Sequence, residues 1–136
     1  MAREPPVMIL TIRTDKPEAE LGVFDGQKKL AYIKWLADRQ LAETIHIKIS
    51  EILNKSSISL EDLRGIAVFK GPGSFTGLRI GLTVANALAY SLSIPIVATD
   101  GENWASQAIK KIGTGKNDKI ALPEYGAPAR TTLARK

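Results

Sequence analysis

The stretch Gly71-Pro72-Gly73-Ser74-Phe75-Thr76-Gly77-Leu78-Arg79-Ile80-Gly81 decides the fold, because a glycine-dense loop runs straight into an apolar helical pattern. Gly71-Pro72-Gly73 permits backbone angles that side chains forbid, and Ser74 or Thr76 stands where a hydroxyl caps the first turn of a helix. The preceding Ile66-Ala67-Val68-Phe69 reads as a short buried strand. Strand, tight loop and helix in that order make a corner that suits an anion or a protein partner. A loop that merely turns the chain fits the same residues.

Two phosphate-loop motifs fail on spacing. A Walker loop needs its second glycine followed by Lys and then Ser or Thr, whereas Gly77 is followed by Leu78-Arg79. A dinucleotide fingerprint needs Gly-x-Gly-x-x-Gly, and Gly71, Gly73 and Gly77 are one residue out of register. Further along, Gly77, Gly81, Ala85 and Ala89 recur every four residues, which places them on one helical face where another helix can approach closely. Leu78, Leu82, Leu88, Leu92, Ile80 and Val84 lie on other faces. Such a helix is covered on more than one side, by its own domain or by a second protein.

From that corner the pattern extends both ways. Val7 to Arg13 reads as an apolar strand and Glu18 to Phe24 as a second, joined through Asp25-Gly26 to a third at about Lys28 to Trp35. Asp38 is expected to cap a helix to about Leu53, with Leu41, Ile45, Ile49 and Ile52 as its apolar stripe. Ser59 to Leu63 carries a Ser-x-x-Asp variant of the capping box. The helix from about Ser74 to Leu92 is followed by a strand at Ile94 to Ala98, and Asp100 is placed to cap a helix through Trp104 to about Lys111. Beyond it Gly113, Gly115, Pro123, Gly126 and Pro128 break every period, leaving an extended segment with one candidate strand near Ile120.

Size and composition set the limits. A chain of 136 residues with 44% hydrophobic residues and mean hydropathy near zero has room for one core. No apolar run approaches a membrane span, the first twelve residues lack a signal-peptide layout, and no cysteine is present, so a cytoplasmic location is expected. The net charge of +5 is unevenly placed: Lys110, Lys111, Lys116, Lys119, Arg130, Arg135 and Lys136 face only Asp118 and Glu124 after residue 107. Residues 1–111 are therefore expected to form one domain and 112–136 an extended basic tail. Lys116, Lys119, Arg130 and Arg135 are candidate contacts to nucleic-acid phosphate, and a solvated end explains them equally.

Catalytic constellations are not evident. His46, the only histidine, falls beside the apolar stripe of its helix, and Ser74 and Thr76 lack both a Gly-x-Ser-x-Gly setting and a histidine base. Glu61-Asp62 sits at a helix start, where the dipole favours carboxylates without any chemistry. Arg79 follows the glycine loop and suits a phosphate, a partner carboxylate or a surface ion pair.

Three antiparallel strands followed by alternating helices and strands describe an α/β domain of the ribonuclease-H-like or actin-like (ASKHA) kind, a half-domain with a mixed five-stranded sheet and helices packed on it. The Gly71 to Gly81 run, Ile9-Leu10-Thr11-Ile12, Leu60-Glu61-Asp62-Leu63 and Ile94-Pro95-Ile96-Val97 together resemble the TsaB (YeaZ) family over about residues 7 to 105. The resemblance implies a subunit that supports synthesis of N6-threonylcarbamoyladenosine in tRNAs reading codons that begin with A, by binding a catalytic TsaD-like protein. It implies that the helices at 38–53 and 74–92 meet that partner, with Leu41, Ile45, Gly77, Gly81, Ala85 and Ala89 as contacts. The loop residues Gly71, Gly73, Ser74, Phe75, Thr76 and Arg79 then lie toward a shared nucleotide side. No cofactor is expected on this chain alone, and ATP or ADP belongs at the interface of the complex. A TsaE-like ATPase, tRNA held through the complex, and a homodimer in the partner's absence complete the expected company, with no membrane.

One departure matters for chemistry. Actin-like ATPases, and many relatives of this family, place Asp-x-Thr or Asp-Thr at the end of the first strand, where the carboxylate organises a metal-bound phosphate. This chain has Arg13-Thr14, and a guanidinium cannot hold magnesium. Many relatives also carry a second half-domain that closes a nucleotide cleft, and half a cleft cannot keep ATP from water, so a non-catalytic scaffold is expected. It is either a naturally short member, which the Pro123-Glu124-Tyr125-Gly126 segment and basic terminus favour, or a truncated one. The alternative to a scaffold is a remnant actin-like ATPase or ribonuclease-H-like phosphohydrolase.

Overall fold

The computed structural model describes residues 6–124. Five strands, β1 (Met8–Arg13), β2 (Glu18–Asp25), β3 (Lys28–Leu36), β4 (Leu63–Phe69) and β5 (Ile96–Thr99), form one sheet in the order β3-β2-β1-β4-β5. The β1–β2 and β2–β3 pairs are antiparallel, whereas β4 runs parallel to β1 and β5 parallel to β4. The turn between β2 and β3 is the expected Asp25-Gly26 corner, with Gly26 at φ 58. Helices α1 (Leu41–Lys55) and α2 (Phe75–Leu92) are the crossovers that parallel pairing requires, between β3 and β4 and between β4 and β5, and α3 (Trp104–Gly113) follows β5.

Alternation along each strand separates two cores. Leu10 and Ile12 of β1, Leu21 and Val23 of β2, Ile66 and Val68 of β4 and Ile96 of β5 point to one side, where Leu41, Ile45, Ile49 and Ile52 of α1 and Leu78, Leu82, Ala85 and Ala89 of α2 cover them. Ile9, Ala67 and Val97 point to the other side, against Ala108, Ile109 and Ile112 of α3. The α3 cover is smaller and leaves the β3–β2 part of that face to solvent, where Tyr32, Lys34 and Leu36 are exposed.

Several local expectations change. Asp38 does not cap α1: it lies in a 3-10 turn, Asp38–Gln40, at φ 48, and the N-cap position of α1 is Gln40. Asp100 is likewise displaced by Asn103 at the start of α3. Ser74 holds the N-cap position of α2 without a side-chain cap bond. The Ser59 capping box is present, with Asp62 accepting from the Ser59 amide at 2.9 Å. No strand forms at Ile120.

Residues 116–124 run over the body. The Asp118 amide donates to the Ile96 carbonyl, and the Asn117 and Asp118 side chains accept from the Ile96 and Ala98 amides, so side chains complete the free edge of β5. Asn86 of α2 then both donates to and accepts from the Ala121 backbone, at 3.0 and 2.8 Å. No described helix is long and apolar enough to cross a membrane.

Candidate functional site

The small-residue face of α2 turns inward. A Cβ on Gly81 would meet Thr14 Oγ1 at 2.0 Å, and one on Gly77 would meet the Thr14 carbonyl oxygen at 2.4 Å. Thr14, itself buried just past the end of β1, donates its hydroxyl to the Gly77 carbonyl at 2.8 Å. Ala85 and Ala89 continue the same face into the core. The smooth groove therefore holds the β1 end of this chain, and Gly81, Ala85 and Ala89, expected to face a partner, are buried against this chain's own residues. Leu41 and Ile45 are likewise buried in the main core. Gly77 is only half-buried and reaches the surface beside Ser74 and Thr76.

The solvent side of the helix pair carries a different set. Ala42 and His46 of α1 face Thr76, Arg79, Ile80, Thr83 and Val84 of α2 across a groove of about 440 Å³. A second cleft of about 270 Å³ shares Thr76 and Ile80 and brings Lys16 and Arg39 beside Ser74, Thr76 and Gly77. Sequence reasoning missed this groove; the one signal for it is position, since Ala42 and His46 repeat the Leu41 and Ile45 spacing on the neighbouring face.

The glycine loop docks on the β1 end. Ser74 donates its amide to the Asp15 carbonyl at 3.0 Å, and a Cβ on Gly73 would fall 2.4 Å from the Asp15 Cβ. Gly71 is at φ 118, and its missing side chain leaves room for the Glu124 carbonyl oxygen. Gly73, Ser74, Thr76 and Arg79 are exposed around this corner.

Arg13 takes the place that a metal-organising carboxylate would need. Its Nε and Nη2 donate to Asp15 at 2.8 and 3.2 Å, and its guanidinium lies 4.0 Å above the Phe69 ring centre. The hydrogen bond to Asp15 raises the Arg13 pKa, so the cation is fixed. Asp15, buried except for this contact, spends both oxygens on Arg13. The donor set here does not fit magnesium: Asp15, the carboxylate at this strand end, has both oxygens on the Arg13 guanidinium, whose positive charge repels a cation.

Of the basic candidates, Lys116 pairs with Asp118 at 3.8 Å and Lys119 is exposed, whereas Arg130 and Arg135 lie outside the described residues.

Comparison with known proteins fits this geometry. A family model described as "TsaD: tRNA N6-adenosine threonylcarbamoyltransferase" matches residues 35–109, more than half of the chain. A "tRNA threonylcarbamoyladenosine biosynthesis protein TsaB" from Buchnera aphidicola is 34% identical over 128 residues, 88% of this chain and 59% of that protein. The chain belongs to the TsaD-related TsaB/YeaZ family. A solved structure from Pseudomonas aeruginosa, titled as similar to peptidase YEAZ, shares the fold with a TM-score of 0.65 at 23% identity, covering 69% of this chain and 43% of that one. Thermus thermophilus RuvC in complex with a Holliday junction substrate superimposes with a TM-score of 0.51 at 16% identity over 90% of this chain and 84% of that one, which is likeness of fold alone. The chain spans between about a fifth and three fifths of the length of the curated relatives it matches. Its sheet order and helix placement are those of an ASKHA half-domain, as the strand pattern predicted.

Proposed function

We propose that this TsaB/YeaZ-family chain is a non-catalytic scaffold that docks a TsaD-like enzyme on the outer side of α1 and α2 and so supports synthesis of N6-threonylcarbamoyladenosine in tRNA. The groove between Ala42 and His46 on one side and Thr83 and Val84 on the other is the observation that carries this reading. Arg79 is its one fixed charge, and half-buried Ile80 and Val84 supply apolar surface beside Ala42 and Thr83, so a partner helix is held mainly by apolar burial. In α1, Lys48 pairs with Glu51, and Arg79 is the one charged residue of α2, so few ions need desolvation. The Lys16–Arg39 cleft beside it is the place for an anionic group of a nucleotide shared with the partner. A TsaE-like ATPase and tRNA would be reached through the complex.

The reading is non-catalytic because Arg13 and Asp15 neutralise each other where an ATPase or phosphohydrolase needs free carboxylates. Thr83→Arg and Ala42→Arg, both at exposed positions, test the docking face. Each should leave the melting temperature within about 2 °C, since such surface changes cost within about 0.5 kcal/mol, while abolishing co-purification with the TsaD-like enzyme. Undiminished capture by both variants sinks the docking model. Light scattering of the chain with and without partner reports whether the same face pairs with itself in the partner's absence.

A further inference from the structure

The opposite side of the molecule holds a charge pattern that docking on α1 and α2 does not use. The β2–β3 turn is tied to α3 by Gln27, whose Nε2 donates to the Ser106 carbonyl at 3.0 Å. That bond sets Lys28 and Lys29, the first residues of β3, on the side of α3 that presents Ser106, Gln107, Lys110 and Lys111, with the Lys29 ammonium 5.0 Å from the Tyr32 ring centre. Lys116 adjoins them, since its amide donates to the Lys111 carbonyl at 2.9 Å, although Asp118 partners its ammonium. No Asp or Glu occurs in α3, and the nearest acid of the turn, Asp25, stands opposite Lys28 and accepts from the Val7 amide. α1 offers the contrast, because Glu43 and Glu51 balance Lys48 and Lys55.

We infer that Lys28, Lys29, Lys110 and Lys111 form a binding site for the phosphate backbone of RNA. The four ammonium groups outnumber the acids that flank them in sequence, Asp25 and Glu102, and release counterions when they meet a polyanion, and Ser106 and Gln107 add hydrogen-bond donors for phosphate oxygens. α3 shows no exposed large apolar side chain, and Leu30 and Tyr32, the exposed ones near Lys29, stand on a sheet strand and not on an amphipathic helix that could lie in a lipid headgroup layer, which favours nucleic acid over a membrane. The site rests on the scaffold reading above: with the partner seated on α1 and α2, this patch faces away from it and can hold an RNA substrate brought to the complex.

The test is fluorescence anisotropy of the full chain with an unmodified tRNA transcript, titrated at several salt concentrations. Lys28→Glu/Lys29→Glu/Lys110→Glu/Lys111→Glu should weaken binding at least tenfold and flatten the log–log salt slope by about three to four, a little under one for each of the four lysines removed. The four-Arg variant should bind like the parent, and the four-Gln variant, milder for folding, should lose at least threefold. Neutralising Arg130, Arg135 and Lys136 should leave the salt slope near that of the parent. Parental binding by both the Glu and Gln variants overturns the site, as does parental loss confined to the Arg130/Arg135/Lys136 variant. Binding of the parent to phosphatidylserine vesicles but not to tRNA overturns it too. The docking reading fails separately: Thr83→Arg should lose the partner yet keep tRNA binding, and the lysine variants should keep the partner.

Discussion

The two faces of the sheet are built by different rules. On the α1–α2 face, Leu10, Ile12, Leu21, Ile66 and Leu78 have no solvent exposure at all, and Thr14 fills the one polar place by bonding to Gly77. On the other face α3 covers only β4 and β5 with their neighbour β1, and the remainder is held by ions: Arg13 with Asp15, Lys34 with Glu18 at 3.8 Å, and the Tyr32 hydroxyl with Glu20. Close packing punishes any added atom, whereas solvated ions rearrange around one. The dry face therefore fixes the fold, while the stability of the wet face depends less on any single side chain.

Gly81→Val is the hardest blow to that contrast. The new Cβ would stand 2.0 Å from Thr14 Oγ1 and 3.0 Å from Thr14 Cβ and Cγ2, so either α2 moves off β1 or Thr14 gives up its bond to Gly77. A loss of about 3 kcal/mol in urea denaturation is expected, at the upper end of overpacking effects. Adding Thr14→Ala should recover about 1 kcal/mol through the shared contact. If Gly81→Val melts like the parent, α2 does not pack on β1 as described, and the small-residue face is available to a partner after all.

How much of this was legible in the sequence depends on whether the signal is local. The Asp25-Gly26 turn, the Ser59–Asp62 box and the stripes of α1 and α2 all lie within a few residues of their cause, and all are present. The orientation of the Gly77–Ala89 face is not local. Spacing shows that something approaches closely there, but Thr14 is 63 residues away from the Gly77 carbonyl it bonds, so period alone could not say whether the neighbour is a strand end or a foreign helix. The same limit hid the cover of β5. Asn117 and Asp118 satisfy its edge with side-chain oxygens, which leaves no alternating pattern to read, and the apolar hint at Ile120 suggested a strand instead. Arg13 was legible as a departure from the expected carboxylate, yet its pairing with Asp15 two residues on needed the bend after β1. The outer groove was hidden because Ala42, His46 and Thr83 carry no chemistry that stands out by type.

Arg13→Ala probes the end of the wet face and should cost less, about 2 kcal/mol. It leaves the buried Asp15 carboxylate without its two hydrogen bonds and strips the cation from the Phe69 ring. Arg13→Lys keeps the positive charge but loses the paired donors to Asp15, and should recover part of the loss. Urea denaturation measures both variants. An equal loss in the two would mean that the side chain acts by its fork geometry and its packing on Phe69 and not by charge.

The smallest effect belongs to Tyr32, at the solvated end of the same face. Burial first, and then the hydrogen bond to Glu20, raise its pKa well above the usual tyrosine range. The folded chain therefore holds the phenol proton more tightly than the unfolded chain, whose tyrosines ionise near 10. The stability this supplies is complete below about pH 10 and is lost as the pH climbs through the folded value. Between pH 9 and 11.5 the urea midpoint should fall, and Tyr32→Phe, which has no proton to lose, should fall less steeply. Because Tyr32 is 41% exposed, solvent screening keeps the difference between the two slopes small. Parallel slopes would show that the Tyr32–Glu20 contact is too open to hold the proton, making the wet face looser still than its ion pairs suggest.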